Sequence, residues 1–127
     1  MAGSITTTSS KENSIVKYTM DWLSDASGDV DVDAIPMVQG EIIRVSYYPD
    51  AGGTQPSDNY DLTMTNSYGV DILTGTGSNL SQTTDTWVVP ALSTYFPVAI
   101  EAGSYDLVIA NAGNAKGGIV EVLLRKI

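Results

Sequence analysis

Residues 60–73 constrain the fold of this chain more than any other stretch. The first half alternates apolar and polar residues, with Tyr60, Leu62 and Met64 on one side of an extended segment, which is the period-two pattern of a half-buried strand. Residues 66–69, Asn-Ser-Tyr-Gly, have the composition of a turn, and the alternation resumes after them. The stretch therefore predicts a β-hairpin at the centre of the fold.

Size and charge limit the class of protein. A chain of 127 residues with 43% apolar residues predicts one domain that folds without disulfides or a metal. It has no apolar run long enough to cross a membrane, and its first ten residues lack the basic start and apolar core of a signal peptide. The net charge of −9 repels a phosphate backbone, so we expect no direct nucleic-acid partner.

The residue types also argue against an enzyme. The chain has no histidine and no cysteine, so Ser and Thr lack the commonest general base and no thiol nucleophile exists. A pair of carboxylates could hydrolyse a glycoside, but acids such as Asp29, Asp31 and Asp61 alternate with apolar residues, as solvent-facing strand residues do. We predict no catalytic residues and no cofactor.

The run Asp29-Val30-Asp31-Val32-Asp33 places carboxylates at alternate positions, and oxygen ligands in such an arrangement can bind calcium. The calcium-loop pattern requires Gly at its sixth position and Glu at its twelfth, where this chain has Ala34 and Gly40. The run instead predicts a strand whose acids face water, protected at a sheet edge by its charge, and no metal site.

Further strands are expected along the chain. Residues 16–22 and 29–33 predict a hairpin across the turn at residues 25–28, ended by Ile35 and Pro36. Residues 105–110 and 119–125 predict a second hairpin across residues 111–117. Trp22 and Trp87 are predicted to anchor the core rather than to form sugar-stacking platforms.

The strand that Gly40 opens is apolar on both faces. One face is predicted to hold Ile43, Val45 and Tyr47, and the other Ile42, Arg44, Ser46 and Tyr48. Either this strand lies at the centre of a sheet, or Ile42 and Tyr48 contact a partner.

Residues 1–13 are rich in Ser and Thr and contain only Ile5 as a sizeable apolar residue, so they predict a flexible N-terminal arm. The arm is either a frayed end or a segment that orders on a neighbouring subunit. In the second case Ile5 would anchor it, and Thr6, Thr7 and Thr8 would add a strand to the neighbour's sheet. Residues 14–127 then form the domain, an all-β antiparallel sandwich or jelly roll of about eight or nine strands.

Several segments of the chain resemble a known group of proteins. The most specific are Gly-Val-Asp-Ile-Leu at residues 69–73 and Asn-Ala-Gly-Asn-Ala-Lys-Gly at residues 111–117, with Gly-Gly-Thr-Gln-Pro at residues 52–56. Over about residues 18–127 the chain is similar to short virion proteins of tailed bacteriophages and gene-transfer particles. The similarity lies in turn and core residues, so it implies a shared fold and a virion setting and carries no catalytic residue.

The resemblance implies a structural virion protein. We expect a capsid decoration, or cement, protein that is made in the host cytoplasm and binds the outer surface of the assembled head. Its partners would be the major capsid protein or other virion proteins, and it would form a homo-oligomer, with a trimer favoured. The alternatives are a tail or head-fibre component and a carbohydrate- or receptor-binding module.

Overall fold

The computed structural model describes residues 3–93 and 96–126, with side chains except at positions 32–34, 93 and 96. The strands are β1 (Ser4–Glu12), β2 (Ile15–Leu23), β3 (Val30–Met37), β4 (Gly40–Pro49), β5 (Asp61–Thr65), β6 (Thr86–Val88), β7 (Ala91–Ser93), β8 (Phe96–Pro97), β9 (Ala99–Ile100), β10 (Gly103–Ala110) and β11 (Gly117–Lys126). A short 3-10 turn, Gly52–Thr54, follows β4. Among the described residues, no helix is long and apolar enough to span a bilayer.

The strands form two main antiparallel sheets and a small ribbon. The six-stranded sheet has the order β1-β2-β11-β4-β6, with β9 also paired to β4. The three-stranded sheet has the order β3-β10-β5, and β7 pairs with β8 in the ribbon. The predicted all-β antiparallel class is therefore confirmed. The strand count exceeds the prediction because residues 4–12 also form a strand and because residues 86–100 contain four short strands of two or three residues each.

Both main sheets contribute their inner faces to one hydrophobic cluster. Trp22 of β2 is 2% exposed, and its ring centroid lies 5.6 Å from that of Tyr60. From the six-stranded sheet the cluster takes Val16, Tyr18, Met20, Ile42, Val45, Tyr47, Val120, Val122 and Leu124, and from the three-stranded sheet Val30, Leu62, Met64, Leu107 and Ile109. Burial of each such large side chain contributes about 1.5–3 kcal/mol, so this cluster is the main source of stability.

The two hairpins predicted around residues 25–28 and 111–117 are wrong. β2 and β11 lie in the six-stranded sheet, whereas β3 and β10 lie in the three-stranded sheet. Both connections cross between the sheets, and they bond to each other, with the Ala112 N–H donating to the Gly28 carbonyl at 3.0 Å. Alternation fixes which face of a strand is buried, but it does not specify the neighbouring strand.

The hairpin predicted at residues 60–73 is confirmed only in its first half. Leu62 and Met64 of β5 are buried and Thr63 is exposed, as the alternation requires. However, β5 lies at the edge of the three-stranded sheet, not at its centre, and no strand returns after the turn. A single bridge joins Thr65 to Asp71, and turns follow.

The side chain of Asp71 explains why the second half does not form a strand. Its Oδ1 accepts from the backbone N–H groups of Met64 and Leu73 at 3.1 and 3.0 Å, and its Oδ2 accepts from Gly75 at 3.0 Å. Asp side chains commonly bond backbone groups a few residues away in this manner and so compete with strand pairing. Val70 is 57% exposed as a result.

The acidic run forms part of an edge strand, as predicted. Asp29 and Asp31 are exposed and β3 lies at the edge of its sheet, while the side chains of Val32 and Asp33 fall outside the described residues. Pro36 was expected to end this strand, but β3 continues through it to Met37. An edge strand tolerates proline because the backbone N–H groups on its outer side form no hydrogen bonds within the sheet.

Residues 4–12 form the strand β1, whereas the composition of residues 1–13 predicted a flexible arm. Residues 1–2 lie outside the described part, and β1 pairs with β2 along its full length after a two-residue turn in which Asn13 has φ 56°. A ladder uses backbone N–H and C=O groups, which Ser and Thr supply as well as apolar residues do. The composition correctly predicted that these residues bury little apolar surface, but it did not predict their pairing with β2.

The strand β4 buries a different set of side chains from the predicted one. A register shift between Leu123 and Leu124 of β11 lets β4 pass from Arg44 to Ile42 without pairing Ile43. Ile42 therefore turns inward and is 0% exposed, together with Val45. A bulge changes the direction of the neighbouring side chains, and a strict period-two pattern does not predict this change.

Candidate functional site

The outward-pointing side chains of the six-stranded sheet, which we call the outer face, are the main candidate surface. The strand registers place in neighbouring rows Thr6, Asp21, Ile119 and Tyr48, then Thr8, Thr19, Glu121, Ser46 and Trp87, then Ser10, Lys17, Leu123 and Arg44. The end near β6 is aromatic and partly apolar, whereas the end at β1 is polar. The outer face thus offers two different kinds of contact surface.

Trp87 is the most prominent side chain of the outer face. It is 65% exposed, so its prediction as a core residue is wrong. Its two neighbours in β6, Thr86 and Val88, pair with the inward-facing residues of β4, and the pleat then directs Trp87 outward. Val88 packs against the core, and the three residues Thr-Trp-Val do not alternate between polar and apolar types, so the sequence contained no periodic signal for the exposure of Trp87.

The indole of Trp87 is held by two side chains of β4. Its Nε1–H donates to the Tyr48 hydroxyl at 2.9 Å, and the Arg44 guanidinium carbon lies 4.3 Å from the ring centroid. A cation over an aromatic face contributes about 0.5–1 kcal/mol at an exposed site. Trp, Tyr and Arg are also the residues that most often dominate protein interfaces, so we define Trp87, Tyr48 and Arg44 as the aromatic patch.

Two buried polar atoms, one within the aromatic patch and one next to it, have no hydrogen-bond partner among the described residues. Among the described residues, the buried side-chain atoms in this condition are Ser46 Oγ and Arg44 Nε. Ser46 lies directly opposite Trp87 in the ladder of β4 and β6 and is 0% exposed. Buried polar groups are normally paired, so this spot combines an exposed aromatic ring with unused hydrogen-bonding capacity.

The structure separates the residues predicted to bind a partner. Thr6 and Thr8 are exposed on the outer face, and Thr7 is exposed on the opposite face of β1. Ile5 lies on that inner side and packs partly against the core. Tyr48 belongs to the aromatic patch.

Ile42 is wrong as a partner-binding residue, because it is fully buried in the core of its own chain. Sequence reasoning also missed Arg44 as a candidate. The signal for Arg44 was its place two and four residues before Ser46 and Tyr48 on the outward side of β4.

A groove of about 430 Å³ lies at one end of the three-stranded sheet. It is lined by residues 66–68, Ile72 and residues 99–105. The Tyr105 hydroxyl on its wall donates to the Glu101 carbonyl oxygen at 2.6 Å, and burial raises the pKa of Tyr105. The Tyr105 hydroxyl therefore already donates its hydrogen bond within the chain.

The connections at the opposite end of the sheets bond to one another. Ser24 Oγ donates to the Gly113 carbonyl at 2.6 Å and accepts from the Lys116 backbone N–H at 2.9 Å. The pKa of Asp25 is lowered because its carboxylate accepts backbone hydrogen bonds, first from Asp29 and also from Ser27. The segment at residues 111–117, one of the most specific parts of the resemblance, is therefore a structural clamp.

Two tyrosines of the core have raised pKa values because they are buried. Burial raises the pKa of Tyr60 to about 12, and burial likewise raises the pKa of Tyr47, whose hydroxyl is bonded to Thr76 Oγ1 at 3.0 Å. Both phenols stay protonated at neutral pH. Within residues 3–93 and 96–126, no three acidic side chains gather as a metal ion would require.

No protein-family model, curated protein or solved structure matches the chain. The function is therefore inferred from the outer face, the charge of the chain and the resemblance.

Proposed function

We propose that this chain is a structural virion protein, a capsid decoration protein that binds the outside of the assembled head as a homo-oligomer. Its partners would be the major capsid protein or other virion proteins. The observation that carries the proposal is the aromatic patch, where Trp87 is held exposed by Tyr48 and Arg44 on a rigid sheet. A fixed aromatic side chain loses little entropy when a partner covers it, which favours its use as a binding anchor.

The resemblance supports the virion setting. Its two most specific segments include Asp71, which organises the turns after β5, and Gly113, which takes part in the clamp between the sheets. Similarity in such residues reports a shared scaffold, and a scaffold can display different contact surfaces. We further propose that the two sheets form a sandwich of the jelly-roll type, supported by the single cluster that joins their inner faces.

Charge favours the outer surface of the head over its interior. With six basic and fifteen acidic residues, the chain is repelled by packaged DNA. A decoration protein acts by adding contacts across the boundaries between capsid subunits, so that each bound copy opposes their separation. The symmetry of the lattice repeats a modest interface many times, so no single contact needs to be strong.

Particles that lack the protein provide the test. Purified protein is added to them, and bound copies are counted after sedimentation and located by electron cryomicroscopy. We expect saturable binding to the outer surface of the head, and Trp87→Ala should lower occupancy at least about tenfold, as loss of an interface anchor does.

The matched control is Tyr68→Ala. Tyr68 is 90% exposed but lies on the turn after β5, away from the outer face. We expect occupancy equal to that of the unchanged protein. Density on the tail would instead favour the tail or head-fibre alternative, and absence of binding to any part of the particle would contradict a virion role.

The same patch favours one second candidate, a carbohydrate- or receptor-binding module. An exposed, immobile indole beside a phenol and a cation can stack on an apolar ring face while the neighbouring groups form hydrogen bonds. Glycan-array screening of the purified protein tests this candidate. Binding of a defined glycan that Trp87→Ala abolishes would support it over capsid decoration.

A further inference from the structure

The outer edge of β1 differs from every other long sheet edge in the described structure. β3 carries exposed Asp31 on its edge, and β5 is covered by the turns that follow it. β6 and β9 are two or three residues long. β1 has nine residues, its start lies close to the start of β3, and no described strand pairs with its outer side. A long unprotected edge offers a row of backbone donors and acceptors to another strand.

The hydrogen bonds at both ends of β2 show which groups of β1 point outward. The Ser24 N–H donates to the Lys116 carbonyl, and the Ser14 carbonyl accepts from the Lys126 N–H. The backbone groups of even-numbered residues of β2 therefore point toward β11. Backbone groups of a strand point alternately to its two sides, so odd-numbered residues of β2 bond to β1. Their partners in β1 are even-numbered. The outward N–H and C=O groups therefore belong to Ile5, Thr7, Ser9 and Lys11.

The charges on β1 favour a second copy of the same chain as the occupant of this edge. The strands β2, β3, β4, β10 and β11 each contain an acidic residue inside the strand, whereas β1 has only Glu12 at its last position and β5 only Asp61 at its first. Two copies of a chain with net charge −9 repel each other, and β1 is where they can approach at the least electrostatic cost.

We propose that β1 pairs antiparallel with β1 of a second copy across a two-fold axis at Thr8. In this register Thr7 of one copy opposes Ser9 of the other, and these are outward residues that can exchange backbone hydrogen bonds. Lys11 opposes Ile5, so no two like charges face each other. An isologous contact of this kind closes as a dimer, in place of the trimer expected from the resemblance. The inference rests on the proposed homo-oligomer and specifies its contact.

The two-fold axis at Thr8 can be tested by exchanging charge. Thr8 is exposed on the outer face, so Thr8→Asp and Thr8→Lys leave the core unchanged. Each variant alone would place two like-charged side chains directly opposite each other across the axis, with their Cβ atoms about 4.5–5.5 Å apart. We expect the unchanged protein to be a dimer by sedimentation equilibrium, each variant to be a monomer, and an equimolar mixture of the two variants to recover the dimer.

A second pair of variants tests the backbone contact. Thr7→Pro removes an outward donor without removing a bond between β1 and β2, whereas Thr7→Ala keeps the donor. We expect the proline variant to raise the dimer dissociation constant about tenfold or more, and the alanine variant to leave it unchanged. Circular dichroism of both variants verifies the fold.

The outcomes separate this inference from the proposed function. A monomeric unchanged protein, or Thr8 variants that remain dimeric alone, would overturn the β1 contact. Binding of such a monomer to particles would leave the decoration role intact. A dimer that behaves as expected in both variant series but binds no part of the particle would support the β1 contact and contradict the virion role.

Discussion

The edge strands β1 and β5 show two different ways of ending a sheet. β5 is held by its inward side chains, and its outward backbone is satisfied by the chain that follows: the Leu62 N–H donates to the Gly77 carbonyl at 2.8 Å, and the Met64 carbonyl accepts from Ile72 at 2.8 Å. β1 is exposed from Thr6 to Glu12 on both faces and is held mainly by its ladder with β2. One edge is sealed, and the other is open.

The difference separates an edge whose backbone groups are bonded within the chain from an edge whose outer backbone groups pair with no described strand. A sealed edge cannot accept another strand, whereas an open edge remains available for pairing. The loop after β5 thus has a structural role, although its length and its Gly, Ser and Thr content are also typical of a binding loop.

The largest effect is expected in the buried face of β5. Leu62 is 2% exposed, so Leu62→Ala should lower the free energy of unfolding by about 2–5 kcal/mol through the cavity that it leaves. The matched control is Thr63→Ala, at the neighbouring exposed position, for which we expect a change below about 0.5 kcal/mol. Urea denaturation measures both, and equal midpoints would show that β5 does not face the core.

The seal over β5 should be sensitive to a single methyl group. An added Cβ at Gly77 would collide with the carbonyl oxygen of Leu62, so Gly77→Ala should destabilise the fold by about 1–3 kcal/mol. Gly53→Ala is the control, because nothing lies within 4 Å of the equivalent Cβ. If thermal denaturation gave the same midpoint for both variants, the turn would not be packed on β5.

A smaller effect is expected from the carboxylate that shapes this turn. Asp71→Ala removes the acceptor of three backbone hydrogen bonds, but Gly75 is exposed and water can replace part of the loss. We expect a destabilisation of about 1–2 kcal/mol by urea denaturation. Asp71→Asn keeps one acceptor oxygen and should lose less, so an equal loss in both variants would indicate that the charge itself is needed.

The smallest effect is expected in β1. Thr7 is exposed, so Thr7→Ala should change the free energy of unfolding of the monomer by less than about 0.5 kcal/mol. Chemical denaturation at low protein concentration avoids any contribution from self-association. A loss as large as that of Leu62→Ala would mean that β1 is packed like β5 and that its edge is not free.

The buried faces of the long strands could be predicted from the sequence, and the partners of these strands could not. The alternation within residues 16–22 places Val16, Tyr18, Met20 and Trp22 on one face of β2, and all four are buried, because burial on one side of a pleated strand follows a period of two. The sheet to which a strand belongs depends on connections that cross between sheets, as residues 111–117 do. A local pattern contains no information about such contacts.

The candidate site was predicted only in part, for two physical reasons. Tyr48 was identified because β4 is apolar on both faces, but the bulge that buries Ile42 depends on the register with β11. Trp87 was assigned to the core because large aromatic residues are usually buried. Its strand has only three residues, which are too few for a periodic pattern to outweigh the usual burial of large aromatic side chains.

Hydrogen exchange at single amides tests the contrast between the two edges most directly. At low protein concentration we expect fast exchange at the amides of β1 that point away from β2, such as those of Thr7 and Ser9. We expect slow exchange at their neighbours Thr6 and Thr8, whose amides point toward β2. The amide of Leu62 should be protected at every concentration, because the chain itself seals β5. Raising the concentration should slow exchange at Thr7 and Ser9 as copies pair. Equal protection of outward and inward amides of β1 in the monomer, or fast exchange at Leu62, would contradict the distinction between an open and a sealed edge.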